Sequence, residues 1–314
     1  MGKISVVINT LNEEKNLPCA LTSVKNFANE IVICDMHSDD GTVEIAKKYG
    51  AKVYKHKKTG YVEPARNYAI NKATGDWILI LDADEEISSS LRKSLGEIAD
   101  EQFHTRRAPS ATLGVSIPAD YYRLPRKNII FGKWVKYSGW WPDYNIRFFR
   151  KGYVSWSEII HSVPETRGKG LDLEADEKNA IVHYHYQTVE QFIDRLNRYT
   201  SIQSRELIKD KYEFDWRDLI KKPVGEFLSR YFQAEGYKDG LHGLTLSMLQ
   251  AFSEFVKYLK VWQLNSFKLV HADIEEVVEM MKRSEGELHY WESNALLKEV
   301  GGLKHRIKRK FKLP

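Results

Sequence analysis

The chain of 314 residues contains only two cysteines, Cys19 and Cys34. That is too few for a disulfide framework, and both lie among apolar neighbours, the pattern of buried thiols in a reducing compartment. Long hydrophobic runs are also missing. No stretch of about 18 uncharged apolar residues occurs, so no spanning helix is expected. The first apolar run is short and ends at Asn9, unlike a signal peptide. Charge of one sign is scarce too: 48 Lys+Arg stand against 43 Asp+Glu, a net +5. So even a mixture does not demand nucleic acid as a partner. Two phosphate-binding signatures are absent. Nothing like G-x-G-x-x-G follows the first apolar run, and G-x-x-x-x-G-K-[ST] does not occur, which excludes a dinucleotide fingerprint and a P-loop. No internal repeat is visible. What is present, 42% hydrophobic and 12% aromatic residues, suits a folded chain with a large core, organised as one domain or one and a half.

The most informative segment is Gly75–Glu86, GDWILILDADEE. The apolar run Trp77–Leu81 ends abruptly in Asp82-Ala83-Asp84, so carboxylates stand where a buried strand reaches solvent. In extended chain, residues two apart point to the same side, and Asp82 and Asp84 are expected to face one site together. Such a pair suits Mg²⁺ or Mn²⁺, which take one or two protein carboxylates and fill the rest with water and phosphate. Taken alone, the same pattern is an acidic turn beside a helix dipole.

Its neighbours decide between these. Lys3–Ile8, Glu30–Cys34 and Ala51–His56 read as strands, each followed by a helical pattern or a polar loop and a helix, the last being Pro64–Ala73 with proline in its first turn. Alternating strands and helices imply a parallel sheet covered on both faces. Ligands bind at the carboxyl ends of such strands. Asn12, Glu13, Asp35, Ser38, Asp40, Arg66, Asp82 and Asp84 all fall there. An acid after the second strand and a cation at the fourth describe a nucleoside diphosphate held by carboxylates and a metal.

VVINTLNEEKNL, CDMHSDDGT and ARNYAINKATGDWILILDADEE resemble, in order and spacing, the N-terminal motifs of family-2 glycosyltransferases. The resemblance covers roughly residues 3–90. It implies a GT-A α/β fold, a Rossmann-like mixed sheet with helices on both faces, here followed by a helical extension. It further implies inverting transfer from a nucleotide-sugar, usually UDP-linked. On these motifs Leu11 and Glu13 wrap the nucleotide, Asp35 reads uracil, and Ser38 belongs to the same loop. Arg66 approaches the diphosphate, Asp82 the ribose or Arg66, and Asp84 binds Mg²⁺ or Mn²⁺. Where relatives often carry Ser-Gly-Ser-Thr-Asp, this chain has Met36-His37-Ser38-Asp39-Asp40.

Residues 121–186 read as strand-rich and aromatic, with Trp134, Trp140, Trp141 and Trp156 suited either to sugar rings or to a small core. An inverting transfer needs a carboxylate base for the acceptor hydroxyl. Asp143, after Trp-Pro, is the first candidate and Glu158 the second. Relatives often carry His-Glu where this chain has His161-Ser162; His161 is a candidate metal ligand, while His183 and His185 read as structural. Residues 100–116 read as a loop. After Thr188 the pattern is helical, through Val224–Tyr237, Leu241–Leu264 and Ile274–Asn294. The apolar stretch Leu244–Trp262 and the acid-free tail Lys304–Lys312 suggest peripheral contact with anionic lipid.

These features predict a nucleotide-sugar half over 1–100, an acceptor subdomain over 101–187 and a helical region over 188–314. The predicted activity is metal-dependent transfer of a sugar from a UDP-sugar to a lipid-linked saccharide or lipopolysaccharide precursor, at the cytoplasmic face of the membrane. Transfer to a protein or peptide, and non-catalytic nucleotide-sugar binding, are the alternatives. A nucleotidyltransferase would need a glycine-rich basic loop where this chain has the acidic NTLNEEKN.

Overall fold

The run Ile4-Ser5-Val6-Val7-Ile8-Asn9-Thr10 is rich in β-branched residues and forms β1 (Ile4–Thr10), buried along its whole length. A strand buried on both faces belongs in a parallel sheet between helices. The computed structural model describes residues 2–58, 62–105, 119–157 and 164–314, with the side chains of 63 and 101–105 left aside. In chain order β1 is followed by α1 (Leu17–Val24), β2 (Glu30–Asp35), α2 (Thr42–Lys48), β3 (Lys52–Lys55), α3 (Glu63–Lys72) and β4 (Trp77–Asp82). β1 pairs in parallel with β2 and β4, and β2 with β3.

Side chains alternate across the sheet. Val6 and Ile8 join Leu21 of α1, Ala46 of α2 and Leu91 on one face, while Val7, Ile78 and Ile80 meet Ala65 and Ala69 of α3 on the other. The order β3-β2-β1-β4 changes direction between β1 and β4. A crevice for ligands opens at such a switch point, beyond the carboxyl ends of the strands.

Next come β5 (Glu85–Ile87), α4 (Ser89–Thr105), β6 (Tyr121–Leu124), β7 (Arg126–Ile130), β8 (Lys133–Trp134), β9 (Asn145–Arg150), β10 (Val154–Ser155), β11 (Glu165–Thr166), β12 (Gly170–Asp172) and β13 (Ile181–Tyr186). β9 pairs antiparallel with both β4 and β6, and β12 joins β6 in parallel. The result is a mixed sheet, β12-β6-β9-β4-β1-β2-β3. β13 pairs antiparallel with β5, setting His183 opposite Glu85. The first compact unit comprises residues 1–128 and 142–185.

The second unit comprises residues 129–141 and 186–314. Ile130 pairs with Lys133 across a two-residue turn in which Phe131 and Gly132 both have positive φ, as a type I′ hairpin requires. The rest is helical: α5 (Val189–Lys209), α6 (Asp218–Leu228), α7 (Leu241–Leu264), α8 (Ile274–Glu299) and α9 (Leu303–Phe311). Thr188 caps α5, its hydroxyl accepting from the Gln191 N–H at 3.2 Å. Phe192 and Leu196 of α5 pack with Leu246 of α7, Ile130 and Val135.

Three expectations change. The strand ends at Asp82, and Ala83 and Asp84 form a turn, so Asp82 and Asp84 no longer share one extended face. α4 continues through residues 100–105 of the expected loop, and residues 106–116 lie outside the described residues. The helix expected from Val224 starts at Asp218, runs through Pro223, and gives way to a π-helical turn over Ser229–Gln233. Of the two thiols, Cys34 is buried but Cys19 sits on the outer side of α1. Burial, then the Asp35 charge, pushes the Cys34 thiol up to about 11.

Candidate active site

Two loops meet where β1 and β2 end, with Thr10 opposite Asp35. Asp35 is buried, 1% exposed. Its carboxylate accepts from the backbone N–H of His37 at 3.1 Å, from that of Ser38 at 3.2 Å, and from the Thr10 hydroxyl at 3.4 Å. His37 and Asn12 adopt left-handed backbone, which asparagine tolerates in turns. The Asn12 N–H donates to Ser38 Oγ at 2.9 Å, and Asn12 Oδ1 accepts from the Asp39 N–H at 2.9 Å. Glu13 donates its N–H to Thr42 Oγ1 at 2.8 Å and accepts from the Asn16 amide at 2.8 Å. Asp40 accepts from the Glu14 and Thr42 N–H groups at 3.1 and 3.0 Å. Desolvation raises Asp40, but the hydrogen bonds from Thr42 and Glu14 together outweigh it and hold the carboxyl below the usual carboxylate range. Leu11 packs against the core face that contains Val7 and Cys34. Thus Asp35, Ser38, Glu13 and Leu11 lie on one rim knit together by these contacts.

On the other side of β1, Asn9 lies opposite Asp82. Here the partners are arginines. Arg147, 3% exposed on β9, donates to Asp82 Oδ2 at 2.5 Å and Glu85 Oε1 at 2.7 Å. Arg66 reaches Asp82 Oδ1 at 3.4 Å and lies 5.5 Å from the Trp156 ring centre. Arg126 meets Glu85 at 3.4 Å and Asp143 Oδ2 at 2.7 Å. Burial alone would raise Asp82, but Arg147 and then Arg66 outweigh it and hold it far below the carboxylate range. The same pairing with Asp82 and Glu85 raises Arg147 despite its own desolvation.

A third set runs beside these. Asp84 Oδ2 lies 3.6 Å from His183 Nε2. His183 Nδ1 is 2.7 Å from Asn128 Oδ1, and Asn128 Nδ2 donates to Asp143 Oδ2 at 2.9 Å. Asp143 has φ 41°, a left-handed value uncommon outside glycine, and its backbone carbonyl accepts from the Asn145 amide at 3.1 Å. The structure therefore brings together Asp84 and Asp143 through two residues that no motif marks: His183, which reads as structural in the sequence, and Asn128. Glu85, Arg126 and Arg147 were missed as well. A hint existed for Arg147, since a charge inside the apolar strand NIRFFR needs a buried partner. Glu158 and His161 lie outside the described residues. Trp156 is buried under Arg66, while in the second unit Trp134 and Trp141 meet edge to face at 5.3 Å.

Among the described residues no three His, Cys, Asp or Glu side chains form a complete metal cage. Asp84 and His183 nevertheless offer one oxygen and one nitrogen 3.6 Å apart. That donor pair fits a Mg²⁺ or Mn²⁺ ion that draws its other ligands from phosphate and water.

A mixed sheet with this acidic crevice at its switch point defines an α/β protein of the GT-A kind. Residues 5–105 match the family model for glycosyl transferase family 2. The chain is 30% identical over 271 residues to an uncharacterized glycosyltransferase of Rickettsia typhi, covering 84% of this chain and 88% of that protein. It is 25% identical to the lipopolysaccharide core biosynthesis glycosyltransferase LpsC of Rhizobium meliloti, over 84% of this chain and 94% of LpsC. A solved structure of Staphylococcus aureus TarS in complex with UDP is similar over 82% of this chain and 91% of its own, with 16% identity and a TM-score of 0.44. The chain belongs to glycosyltransferase family 2 and is an enzyme, a glycosyltransferase.

Proposed function

We propose that this enzyme transfers a sugar, with inversion, from a UDP-sugar to a hydroxyl of a lipid-linked saccharide or lipopolysaccharide precursor, using Mg²⁺ or Mn²⁺. One observation carries the reading: a line of side chains, hydrogen-bonded from His183 through Asn128 to Asp143, ends 3.6 Å from Asp84, while the neighbouring Asp82 and Glu85 are neutralised by arginine. In this reading the rim of Leu11, Glu13, Asp35 and Ser38 receives the nucleoside, and Arg66 faces the diphosphate. Asp84 and His183 would hold the cation, whose chemistry is to offset charge on the departing diphosphate. Arg126 and Asn128 hold Asp143 Oδ2, which fixes the carboxylate, and Oδ1, which accepts only a long 3.4 Å bond from the Asn145 amide, would take the acceptor proton. The acceptor oxygen bonds to the anomeric carbon as the bond to the diphosphate oxygen breaks, the proton passes to Asp143, and UDP leaves. A single displacement of this kind inverts the centre. The donor is tested by hydrolysis over a panel of nucleotide-sugars with Mn²⁺ or Mg²⁺, which needs no acceptor. Turnover of UDP-sugars alone is expected, and turnover confined to another nucleotide would overturn the reading.

The lipid-linked acceptor draws support from the similarity to LpsC and from the helices of the second unit. Leu241, Met248 and Phe252 of α7 are 75%, 57% and 49% exposed, and Leu303, Ile307 and Phe311 form an exposed stripe on α9 among Lys304, Arg306, Lys308 and Lys310. Among the described residues no helix is long and apolar enough to cross a membrane. Such stripes suit peripheral binding at the inner face, with basic residues at headgroup level. Sedimentation with phosphatidylglycerol-rich liposomes should show binding that weakens as salt rises and falls further without residues 304–314. No binding at low salt would sink this part of the reading.

A further inference from the structure

Asn128 is buried, 0% exposed, between two functional groups. The orientation of its amide is dictated by Asp143, whose ionised carboxylate only accepts hydrogen bonds. The NH₂ group must therefore face Asp143 Oδ2, at 2.9 Å, and the carbonyl must face His183 Nδ1, at 2.7 Å. A carbonyl cannot donate, so Nδ1 carries the proton. In neutral imidazole the other nitrogen is then bare, and it is Nε2 that lies 3.6 Å from Asp84 Oδ2. A nitrogen lone pair beside a carboxylate oxygen is a donor set that one divalent cation can bridge.

We infer that Asn128 is a positioning residue that fixes His183 in the Nδ1–H tautomer and so presents Nε2 as a ligand to the divalent cation at Asp84, tying that cation site to the acceptor-side carboxylate Asp143. This rests on the reading of Asp84 and His183 as cation ligands. Without the Asn128 carbonyl, His183 is free to take the opposite tautomer. Its Nε2–H would then turn to Asp84 as a donor and close the position the cation needs. Residues that orient a ligating histidine characteristically change metal affinity by about 10- to 100-fold when removed.

Two measurements on the full-length protein test this. The first is the ¹⁵N shifts of wild-type His183, assigned by comparison with His183→Gln, recorded in saturating Mg²⁺ and UDP. A protonated Nδ1 and an unprotonated Nε2 are expected; a proton on Nε2 overturns the inference. The second is Mn²⁺ binding with UDP present, followed by electron paramagnetic resonance, in wild type and Asn128→Leu. A loss of about 10- to 100-fold in affinity is expected in the variant, with UDP binding measured in parallel. A folded Asn128→Leu that binds Mn²⁺ as wild type does refutes the role of Asn128 while leaving the cation reading intact. A wild type that binds no Mn²⁺ refutes the cation reading itself. If Asn128→Leu does not fold, the wild-type tautomer decides.

Discussion

The carboxylates on the two sides of β1 are held by opposite means. At the end of β2, Asp35 is satisfied by Thr10 and by the backbone of the two loop residues His37 and Ser38. At the end of β4, Asp82 and Glu85 depend on Arg147, which is 65 and 62 positions away in sequence. The first arrangement draws mainly on backbone N–H groups two and three residues away, with Thr10 of the paired strand β1 adding one bond. The second exists only once β9 has docked against β4. Asp35 is therefore held largely by its own loop, whereas Asp82 and Glu85 are held by side chains that the fold brings in from far along the chain.

The largest effect that would sharpen this contrast is on catalysis. Asp143→Asn should slow transfer to the acceptor by about 10²- to 10⁴-fold, the usual worth of a general base. It should leave UDP affinity nearly unchanged, because the base acts in the transition state. Transfer assays beside UDP titrations measure both, and normal transfer by Asp143→Asn with loss in Glu158→Gln would give the role to Glu158.

Stability comes next. Arg147→Met keeps the side-chain volume but leaves Asp82 and Glu85 only their longer arginine contacts, to Arg66 and Arg126, and should cost about 3–5 kcal/mol, the range for breaking a buried ion pair. Asp35→Asn keeps one acceptor oxygen and should cost about 1–2 kcal/mol, near the value of one buried hydrogen bond. Urea unfolding of both variants compares them directly. Equal losses would erase the distinction between local and assembled carboxylates.

The smallest effect concerns pH. Glu30, at the start of β2, accepts from Lys52 at 2.7 Å, Ser5 at 2.6 Å and the Thr74 N–H at 2.7 Å. Burial pushes its pKa up, but these hydrogen bonds outweigh it and set the value at about 2, below the ordinary 4.5. A depressed folded-state pKa means the contribution is present above pH 4.5 and is lost as pH falls toward 2. Its ceiling is on the order of 3 kcal/mol. Glu30→Gln should therefore be less stable than wild type at neutral pH, with the gap closing near pH 2. A gap independent of pH would show that the pairing contributes nothing.

The same contrast explains what could be read from sequence. The strands β1, β2 and β4, the loop acids Asp35 and Asp40, and α7 over Leu241–Leu264 follow from local patterns, because apolar runs, turn residues and helical periodicity mark each of them in its own stretch of chain. The turn at Ala83-Asp84 was misread as extended chain, since β5 begins at once and draws the backbone away toward β13. His183 looked structural because its partners, Asp84 and Asn128, come from distant segments joined only by the sheets. The start of α6 was hidden by Pro223, whose usual place is the first turn of a helix.

The central claim is that Asp84 serves a divalent cation in a UDP-sugar transferase. Hydrolysis of a UDP-sugar by wild type and Asp84→Asn, each with Mn²⁺ and with EDTA, tests it most directly. Wild type should turn over donor only with the metal, and Asp84→Asn should stay folded yet be inactive in both conditions. Full wild-type activity in EDTA, or an Asp84→Asn enzyme as active as wild type, would contradict it.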